Sequence, residues 1–283
     1  MKKIGFIDYY LSEWHANNYP TWMREKINEL GLDIELSYAY GELNESPLDG
    51  VTTDEWCKNF GMEKCDTIEE LSEKSDYIVI LAPSNPETHL RLAEAALKYG
   101  KRTYIDKTFA PDYATAKKIF DIAKEHGAQF FSTSALRYAD ELDTIEVKNE
   151  CKVSGTGSNF DEYIIHLCEM LVKKIGMGAE SIIANEKDGN VELDVAYGDS
   201  RRATLIFGQG LPFAMASDLS APLGELKPMA SPFFNSLMKD ILRFFSGAEA
   251  SFDTRETLEV MKLREAAIKA NNNRGTTVAI DQE

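Results

Sequence analysis

Two hydrophobic patterns alternate along the first half of the chain. Short apolar runs, typical of buried strands, alternate with longer segments whose apolar residues recur every three or four positions, as on one helix face. The predicted strands cover residues 3–8, 33–40, 77–82, 102–105 and 129–133. The predicted helices cover residues 12–30, 53–60, 67–74, 86–99 and 112–126. Strands separated by helices of this length predict an α/β fold, a doubly wound parallel sheet with helices on both faces.

The second half of the chain has a different pattern. Strand-like runs separated by Gly and Asp turns, with no helix between them, cover residues 191–197, 203–208 and 213–220. Two predicted helices and a final strand follow at residues 232–245, 255–271 and 276–280. We therefore predict a doubly wound domain at 1–130 and an α+β domain with an open, mainly antiparallel sheet at 131–283.

Charge and composition exclude several functional classes. Lys and Arg total 31 and Asp and Glu total 47 in 283 residues, a formal net charge of −16. This balance disfavours binding to nucleic acid or to an anionic membrane, because both need a basic surface. The longest apolar run, residues 77–83, is too short to cross a bilayer, and Asp8 interrupts any apolar signal segment, so we expect a cytoplasmic protein. The four scattered cysteines predict neither a disulfide framework nor a metal site.

The first predicted strand-to-helix turn contains no glycine. Ligands of a doubly wound sheet bind beyond the carboxyl ends of its strands, and dinucleotide sites have glycines in this turn. Here Tyr9, Tyr10 and Leu11 take their place, and Glu13 adds negative charge. The helix predicted to begin at an N-cap Ser12 still offers N–H groups to an anion. An ordinary turn without a ligand explains this segment equally well.

Candidate polar residues follow two further strands. The run from Pro83 to Pro86 includes Ser84 and Asn85, and His89 lies one turn into the next helix. Asp106 and Lys107 directly follow the strand at 102–105. A lysine at this edge can stabilise the negative charge of a developing alkoxide, and Asp106 can orient it. A turn with a helix cap, and an exposed ion pair, are the purely structural alternatives.

A third cluster begins with a glycine-rich stretch at residues 155–159, which predicts a loop. Glu162 and His166 follow it four residues apart, so they share one face of a helix. The apolar neighbours of His166 are equally compatible with a buried structural histidine. Because His126 is expected at a helix end, His15, His89 and His166 remain as candidate site residues.

These segments, in this order, resemble the Gfo/Idh/MocA (glucose–fructose oxidoreductase / inositol dehydrogenase) family. Residues 75–110 resemble the family's stretch from its fourth strand to its Glu-Lys-Pro motif, here Asp106-Lys107-Thr108. Residues 134–140 resemble the segment that enters the second domain. Residues 155–166 resemble the glycine-rich loop and the helix with the active-site histidine. With threonine in place of the motif's proline, a cis bond after Lys107 is not expected.

The resemblance implies a Rossmann domain, a nicotinamide cofactor (NAD or NADP), no metal, and a sugar, cyclitol or related polyol as substrate. It implies a homo-oligomer formed through the second-domain sheet, with Lys107 and His166 as the catalytic residues. The candidate cofactor-binding residues are Ser12, His15, Pro83, Ser84, Asn85, His89 and Asp106. The candidate substrate-binding residues are Arg137, Glu162 and Tyr163.

Two other functions stay open. The glycine-free turn is compatible with a sugar-binding or regulatory protein of the same fold that has no redox turnover. Permanently bound NAD would instead allow transient oxidation during an elimination or a glycoside cleavage. Dinucleotide binding distinguishes the oxidoreductase from these two alternatives. The sugar-binding protein would bind no dinucleotide, and the protein with permanently bound NAD would not exchange it.

Overall fold

The computed structural model describes residues 1–281, which form two compact units. The first, called here the parallel-sheet unit, consists of Met1–Thr133 and Leu237–Thr254. The second, called the mixed-sheet unit, consists of Ser134–Ser236 and the described residues from Arg255 onward.

The parallel-sheet unit has a six-stranded sheet in the order β3-β2-β1-β4-β5-β6. Every neighbouring pair is parallel. The strands are β1 (Lys2–Asp8), β2 (Ile34–Gly41), β3 (Glu63–Lys64), β4 (Tyr77–Ile80), β5 (Arg102–Ile105) and β6 (Phe130–Phe131). This Rossmann-like sheet confirms the predicted fold class, and the two-residue β3 is an addition that the hydrophobic pattern does not reveal.

Five helices connect the strands of this sheet. They are α1 (Trp14–Leu30), α2 (Thr53–Phe60), α3 (Ile68–Lys74), α4 (Pro86–Leu97) and α5 (Tyr113–His126). Short polar side chains cap most of their N-termini, as Asp112 does for α5 by accepting a hydrogen bond from Thr115 N–H. The prediction that Ser12 caps α1 is wrong. Glu13 is the N-cap, because its longer side chain turns back to the N–H groups of His15 and Ala16.

A segment from late in the chain completes the parallel-sheet unit. Helix α8 (Phe233–Phe245) ends with Phe245 stacked on Tyr77 of β4, with ring centroids 4.8 Å apart. The Arg102 guanidinium donates hydrogen bonds to the carbonyls of Phe244 and Ala248, at 2.6 and 2.5 Å. Residues 237–254 therefore pack with the first sheet, whereas the sequence pattern placed them in the 131–283 domain, because only these long-range contacts reveal their position.

The mixed-sheet unit has a seven-stranded sheet in the order β12-β11-β7-β10-β9-β8-β13. Its pairs are antiparallel except for the parallel β7–β10 pair. The strands are β7 (Glu150–Gly155), β8 (Ala179–Lys187), β9 (Asn190–Tyr197), β10 (Arg202–Phe207), β11 (Ala214–Ala216), β12 (Lys227–Pro228) and β13 (Thr277–Ala279). The predicted mainly antiparallel sheet is confirmed. The strand expected at 213–220 is shorter, because Asp218 starts a turn by accepting a hydrogen bond from Ser220 N–H.

Among the described residues of this unit, the sheet is accompanied by the α-helices α6 (Asp140–Thr144), α7 (Phe160–Ile175) and α9 (Arg255–Asn272). Helices α7 and α9 pack against each other, and they contact β7 and β8 respectively. The apolar side of α7, which includes Ile164, Leu167 and Leu171, is fully buried. His166 lies beside this buried stripe and is half-buried.

No helix among residues 1–281 is both long enough and apolar enough to cross a membrane. Within the same residues, no group of three or more His, Cys, Asp and Glu side chains is arranged to hold a metal ion.

Candidate active site

The carboxyl edge of the parallel sheet brings together residues that end or follow three different strands. Asp8 ends β1, Pro83 follows β4, and Asp106 and Lys107 follow β5. The Lys107 ammonium lies 3.5 Å from the Pro83 carbonyl oxygen and is largely buried. The neighbouring strands thus place the predicted lysine at the edge where open α/β sheets bind ligands.

Asp106 is completely buried at the centre of a polar cluster. Its carboxylate accepts hydrogen bonds from the Tyr104 and Tyr19 hydroxyls, at 3.0 and 3.2 Å, and contacts Nδ1 of His15. Burial opposes ionisation, but His15 and then Lys107 outweigh it and hold the pKa of Asp106 below its ordinary value. The ionised Asp106 therefore fixes the His15 ring at the edge of the sheet.

The peptide bond between Lys107 and Thr108 is cis. The expectation that losing the motif's proline removes a cis bond at this position is therefore wrong.

His89 connects the loops that follow β4 and β5. One ring nitrogen lies 3.0 Å from the carbonyl oxygen of Phe109, and the other contacts that of Leu81. Burial lowers the pKa of His89, although both carbonyls oppose the shift. With the ring fully buried, its contacts are those of a residue that positions these loops. Ser84 is exposed and Asn85 is half-buried, so both are accessible at the end of β4.

The turn between β1 and α1 is rich in negative charge. The Glu13 carboxylate accepts hydrogen bonds from the N–H groups of His15, at 2.8 Å, and Ala16. The neighbouring Asp8 is fully buried, and its Oδ2 has no hydrogen-bond partner within the described chain. Burial, reinforced by the Glu13 charge, raises the pKa of Asp8 well above its ordinary value.

Ser12 lies under the loop that follows β2. Its hydroxyl donates a hydrogen bond to the Asp49 carboxylate at 2.7 Å, and its carbonyl accepts one from the Ser46 hydroxyl at 2.8 Å. The buried Ser12 thus ties two loops of the sheet edge together.

His166 is held by residues of the mixed-sheet unit. Its Nδ1 lies 2.7 Å from the hydroxyl oxygen of Ser134. The rings of Tyr163 and Phe213 approach it, with centroids 5.7 and 5.4 Å away. The Ser134 hydroxyl and the Tyr163 and Phe213 rings therefore help to set the plane of the imidazole.

Two glycines before α7 allow this arrangement. A Cβ on Gly157 would lie 2.0 Å from Cγ of Tyr163, and one on Gly155 would lie 2.7 Å from the Phe213 ring. Any larger residue would push these rings away from His166. The glycine-rich stretch is needed for close packing of the aromatic side chains.

The remaining predicted substrate residues are engaged inside the mixed-sheet unit. Arg137 is buried, with Nε bound to Glu169 and Nη1 2.8 Å from a Glu256 carboxylate oxygen. Burial disfavours its charge, but the two carboxylates prevail and raise the pKa of Arg137. The Asn159 amide donates a hydrogen bond to Glu162 at 3.0 Å. The structure thus places Arg137 in a charge cluster and Glu162 at the helix cap, and their contact with a substrate stays a prediction.

The structure brings the predicted residues into two groups, one in each unit. His15, Asp106, Lys107 and Pro83 share the edge of the parallel sheet, while Tyr163 and His166 share one end of α7. Sequence reasoning missed Ser134, which lies 32 positions before His166, because no local pattern links residues so far apart. It also missed Glu13 as a cap, although a carboxylate directly before a helix is a usable signal.

A family model described as an oxidoreductase family with an NAD-binding Rossmann fold, GFO_IDH_MocA, matches residues 48–134. The resemblance to the Gfo/Idh/MocA family is thereby confirmed. The matched segment runs from the loop before α2 through β6, and includes Lys107. NAD or NADP is the cofactor that this Gfo/Idh/MocA match supports. A search of curated protein sequences found no match.

Solved structures with the same fold extend over the whole chain. A myo-inositol 2-dehydrogenase from Lactobacillus plantarum superposes with a TM-score of 0.75 at 15% identity, covering 99% of each chain. An NAD-binding oxidoreductase from Klebsiella pneumoniae has a TM-score of 0.75 at 11% identity, covering 100% of this chain and 99% of its own. An NAD-binding protein from Listeria innocua has a TM-score of 0.70 at 17% identity, covering 100% of this chain and 98% of its own. At these identities the likeness establishes the fold alone.

The residues at the sheet edge fit a nicotinamide cofactor only in part. Ser84, Asn85 and Lys107 offer hydrogen-bonding groups of the kind that ribose hydroxyls and a carboxamide require. The β1–α1 turn does not fit a pyrophosphate in its usual position, because Glu13 already takes the helix N–H groups that would bind it.

Proposed function

We propose that this protein is an NAD(P)-dependent oxidoreductase that acts on a hydroxyl carbon of a sugar, cyclitol or related polyol. The family match supports the oxidoreductase class and a nicotinamide cofactor. The observation that carries the finer proposal is the position of Lys107, directly after β5 at the carboxyl edge of the parallel sheet. The polyol class follows from the family resemblance, and the name of the Lactobacillus relative, an inositol dehydrogenase, agrees with it.

Lys107 supplies positive charge where the substrate oxygen becomes negative. An ammonium group that donates a hydrogen bond to this oxygen stabilises a developing alkoxide, and its effect is large because the group is largely buried. The Pro83 carbonyl, 3.5 Å from Nζ, holds the side chain at the sheet edge. Lys107 is thereby assigned the role of binding and polarising the reacting oxygen.

His166 is assigned the proton transfer. When its Nδ1–H donates to the Ser134 hydroxyl oxygen, Nε2 carries the lone pair that a general base needs. In that role Nε2 takes the hydroxyl proton of the substrate during oxidation and returns it during reduction. A bound nicotinamide supplies the hydride acceptor.

The proposal is tested by hydride transfer. The purified protein is mixed with NAD⁺ or NADP⁺ and a panel of cyclitols, sugar alcohols and aldoses, and the absorbance of the reduced nicotinamide is followed. We expect turnover on at least one polyol. Lys107→Ala and His166→Ala should each lower kcat by about 10²- to 10⁴-fold, in the range of lost electrostatic or acid–base catalysis.

His126→Ala and Lys118→Ala are the matched controls. His126 ends α5 and Lys118 lies on the same helix, both exposed, so their loss should leave kcat unchanged. Wild-type rates in either Lys107→Ala or His166→Ala would remove the assigned roles. No reduced nicotinamide with any polyol would overturn the reaction class and favour a sugar-binding protein. The cytoplasmic location and the homo-oligomer formed through the second sheet stay predictions.

A further inference from the structure

The N-terminus of α1 is closed by a carboxylate of its own chain. A helix begins with N–H groups that have no partner within the helix, and in dinucleotide sites these groups bind the pyrophosphate. Here Glu13 Oε2 accepts from His15 N–H at 2.8 Å, and Oε1 accepts from Ala16 N–H. The N–H of Glu13 itself donates to the Leu11 carbonyl oxygen at 3.0 Å. The N–H groups of His15 and Ala16, which could otherwise bind a phosphate, are therefore already hydrogen-bonded within the chain.

The position of Glu13 is built into the fold. The side chain is buried together with Asp8, Ser12 and His15, all below one-tenth exposed. The loop after β2 covers the same turn, with Ser46 and Asp49 hydrogen-bonded to Ser12. Backbone hydrogen bonds of 3.0 and 2.7 Å, from Glu42 N–H to the Asp8 carbonyl and from Leu43 N–H to the Tyr9 carbonyl, complete the contact. A solvent-exposed cap that moves freely is excluded by these contacts.

We propose that the Glu13 carboxylate occupies the pyrophosphate position of the cofactor site and competes with the pyrophosphate of a dinucleotide. The proposal rests on the proposed function, because it concerns the affinity of the same cofactor site. Two charges of the same sign would share the positive end of one helix. Removing the Glu13 carboxylate should therefore tighten the binding of pyrophosphate-containing ligands.

The experiment compares wild type with Glu13→Ser and Glu13→Gln. Serine is a strong N-cap with a short side chain, so it keeps the helix while opening the turn. Glutamine keeps the size and the acceptor oxygen but removes the charge. ADP-ribose is the probe with a pyrophosphate and adenosine the probe without one, and both are titrated by calorimetry at one salt concentration. Circular dichroism and the melting temperature show that each variant is folded.

We expect Glu13→Ser to bind ADP-ribose about tenfold more tightly than wild type. The single serine oxygen caps one of the two N–H groups that Glu13 holds and leaves the other to make a charge-assisted hydrogen bond with the pyrophosphate. Glu13→Gln should give a smaller gain, and the affinity for adenosine should not change. Asp112→Ser is the matched control, because Asp112 caps α5 of the same unit with a carboxylate 2.7 Å from Thr115 N–H. This control should leave both affinities unchanged.

Equal or weaker ADP-ribose binding by Glu13→Ser would overturn the proposal. If wild type also binds NAD(H) tightly and transfers hydride, the proposed function stands and only the competition by Glu13 is refuted. If neither wild type nor Glu13→Ser binds any dinucleotide, the competition and the proposed function both fail.

Discussion

Two strand–turn–helix connections of this protein cap the N–H groups at the start of the helix with different kinds of side chain. Between β1 and α1 the turn has no glycine, its cap is the carboxylate of Glu13, and the buried Asp8 lies beside it. Between β7 and α7 the turn is rich in glycine, and its cap is the neutral amide of Asn159. In the first turn the Glu13 carboxylate binds N–H groups at the start of the helix. In the second turn the glycines allow aromatic side chains to pack around His166.

The comparison shows that glycine content does not by itself locate a phosphate site. Gly155 and Gly157 make room for Phe213 and Tyr163, and no phosphate is needed to explain them. The decisive feature is what satisfies the N–H groups at the start of the helix. At the start of α1, the buried carboxylate of Glu13 accepts hydrogen bonds from the N–H groups of His15 and Ala16, the position that an external anion would otherwise take.

Buried charge is also handled differently in the two regions. Glu169, one helical turn beyond His166, is paired with the buried Arg137. Asp8 and Glu13 instead bring two carboxyl groups together, and burial with the Glu13 charge raises the pKa of Asp8. Glu169→Gln should therefore destabilise the protein by about 3 kcal/mol, because it leaves the Arg137 charge incompletely compensated. Urea unfolding measures the loss. Glu94→Gln removes an exposed pair with Lys98 and should cost less than about 0.5 kcal/mol. Equal losses in the two variants would contradict the account.

The close packing at the glycine-rich turn can be tested by adding a single methyl group at Gly157. Gly157→Ala should destabilise the protein by about 2 kcal/mol, because the new Cβ would meet Cγ of Tyr163 at 2.0 Å. Gly224→Ala is the control in the same unit, since a Cβ there has no atom within 4 Å. The change in the urea midpoint tests both. A Gly157→Ala protein as stable as wild type would refute the close packing around His166.

The two neighbouring acidic side chains in the first turn predict the smallest change in stability, and this change is a gain rather than a loss. Asp8→Asn should stabilise the protein at neutral pH by about 1 kcal/mol, because an ionised carboxylate buried beside Glu13 is unfavourable. The raised pKa of Asp8 means that the native state binds this proton more tightly than the unfolded state. Its contribution to stability is present at low pH and is lost as the pH rises from the ordinary carboxyl range through the folded-state pKa.

Unfolding in urea at pH 5 and pH 8 measures this dependence. Asp8→Asn should reduce the loss of stability between the two values. Asp76→Asn serves as the control, because burial there is outweighed by Lys2 and Lys3 N–H, which lower the pKa of Asp76. The contribution of Asp76 is lost only as the pH falls below the ordinary carboxyl range, so its replacement should leave the difference between pH 5 and pH 8 unchanged. A wild-type pH dependence in Asp8→Asn would contradict the assigned environment of Asp8.

Local patterns predicted most of the fold, and the reasons are physical. Apolar runs and helix caps such as Asp112 act within a few residues, so strands β1, β4 and β5 and their helices were predicted within a few positions. The position of Lys107 at the sheet edge was predictable because the end of a buried strand marks that edge. By contrast, the contacts of Phe244 with the first sheet depend on residues far apart in the chain, which a single sequence does not reveal.

The candidate site was predictable to a smaller extent. His166 stands out by its helix and its glycine-rich turn, but its partner Ser134 lies on a separate element. Arg137 was expected to face the substrate, and only the structure shows that Glu169 and Glu256 surround its guanidinium. Charge pairing between distant helices has no periodic signature, so such clusters are found only in three dimensions.

The central claim is that this protein binds a nicotinamide dinucleotide exchangeably, despite the carboxylate at its first turn. Native mass spectrometry of the purified protein, with and without NAD(H) and NADP(H), tests it most directly. We predict a dinucleotide-free protein that gains one dinucleotide per chain when millimolar cofactor is added. A spectrum without any dinucleotide adduct at that concentration would contradict the claim and leave Lys107 and His166 as contacts for a ligand of another kind.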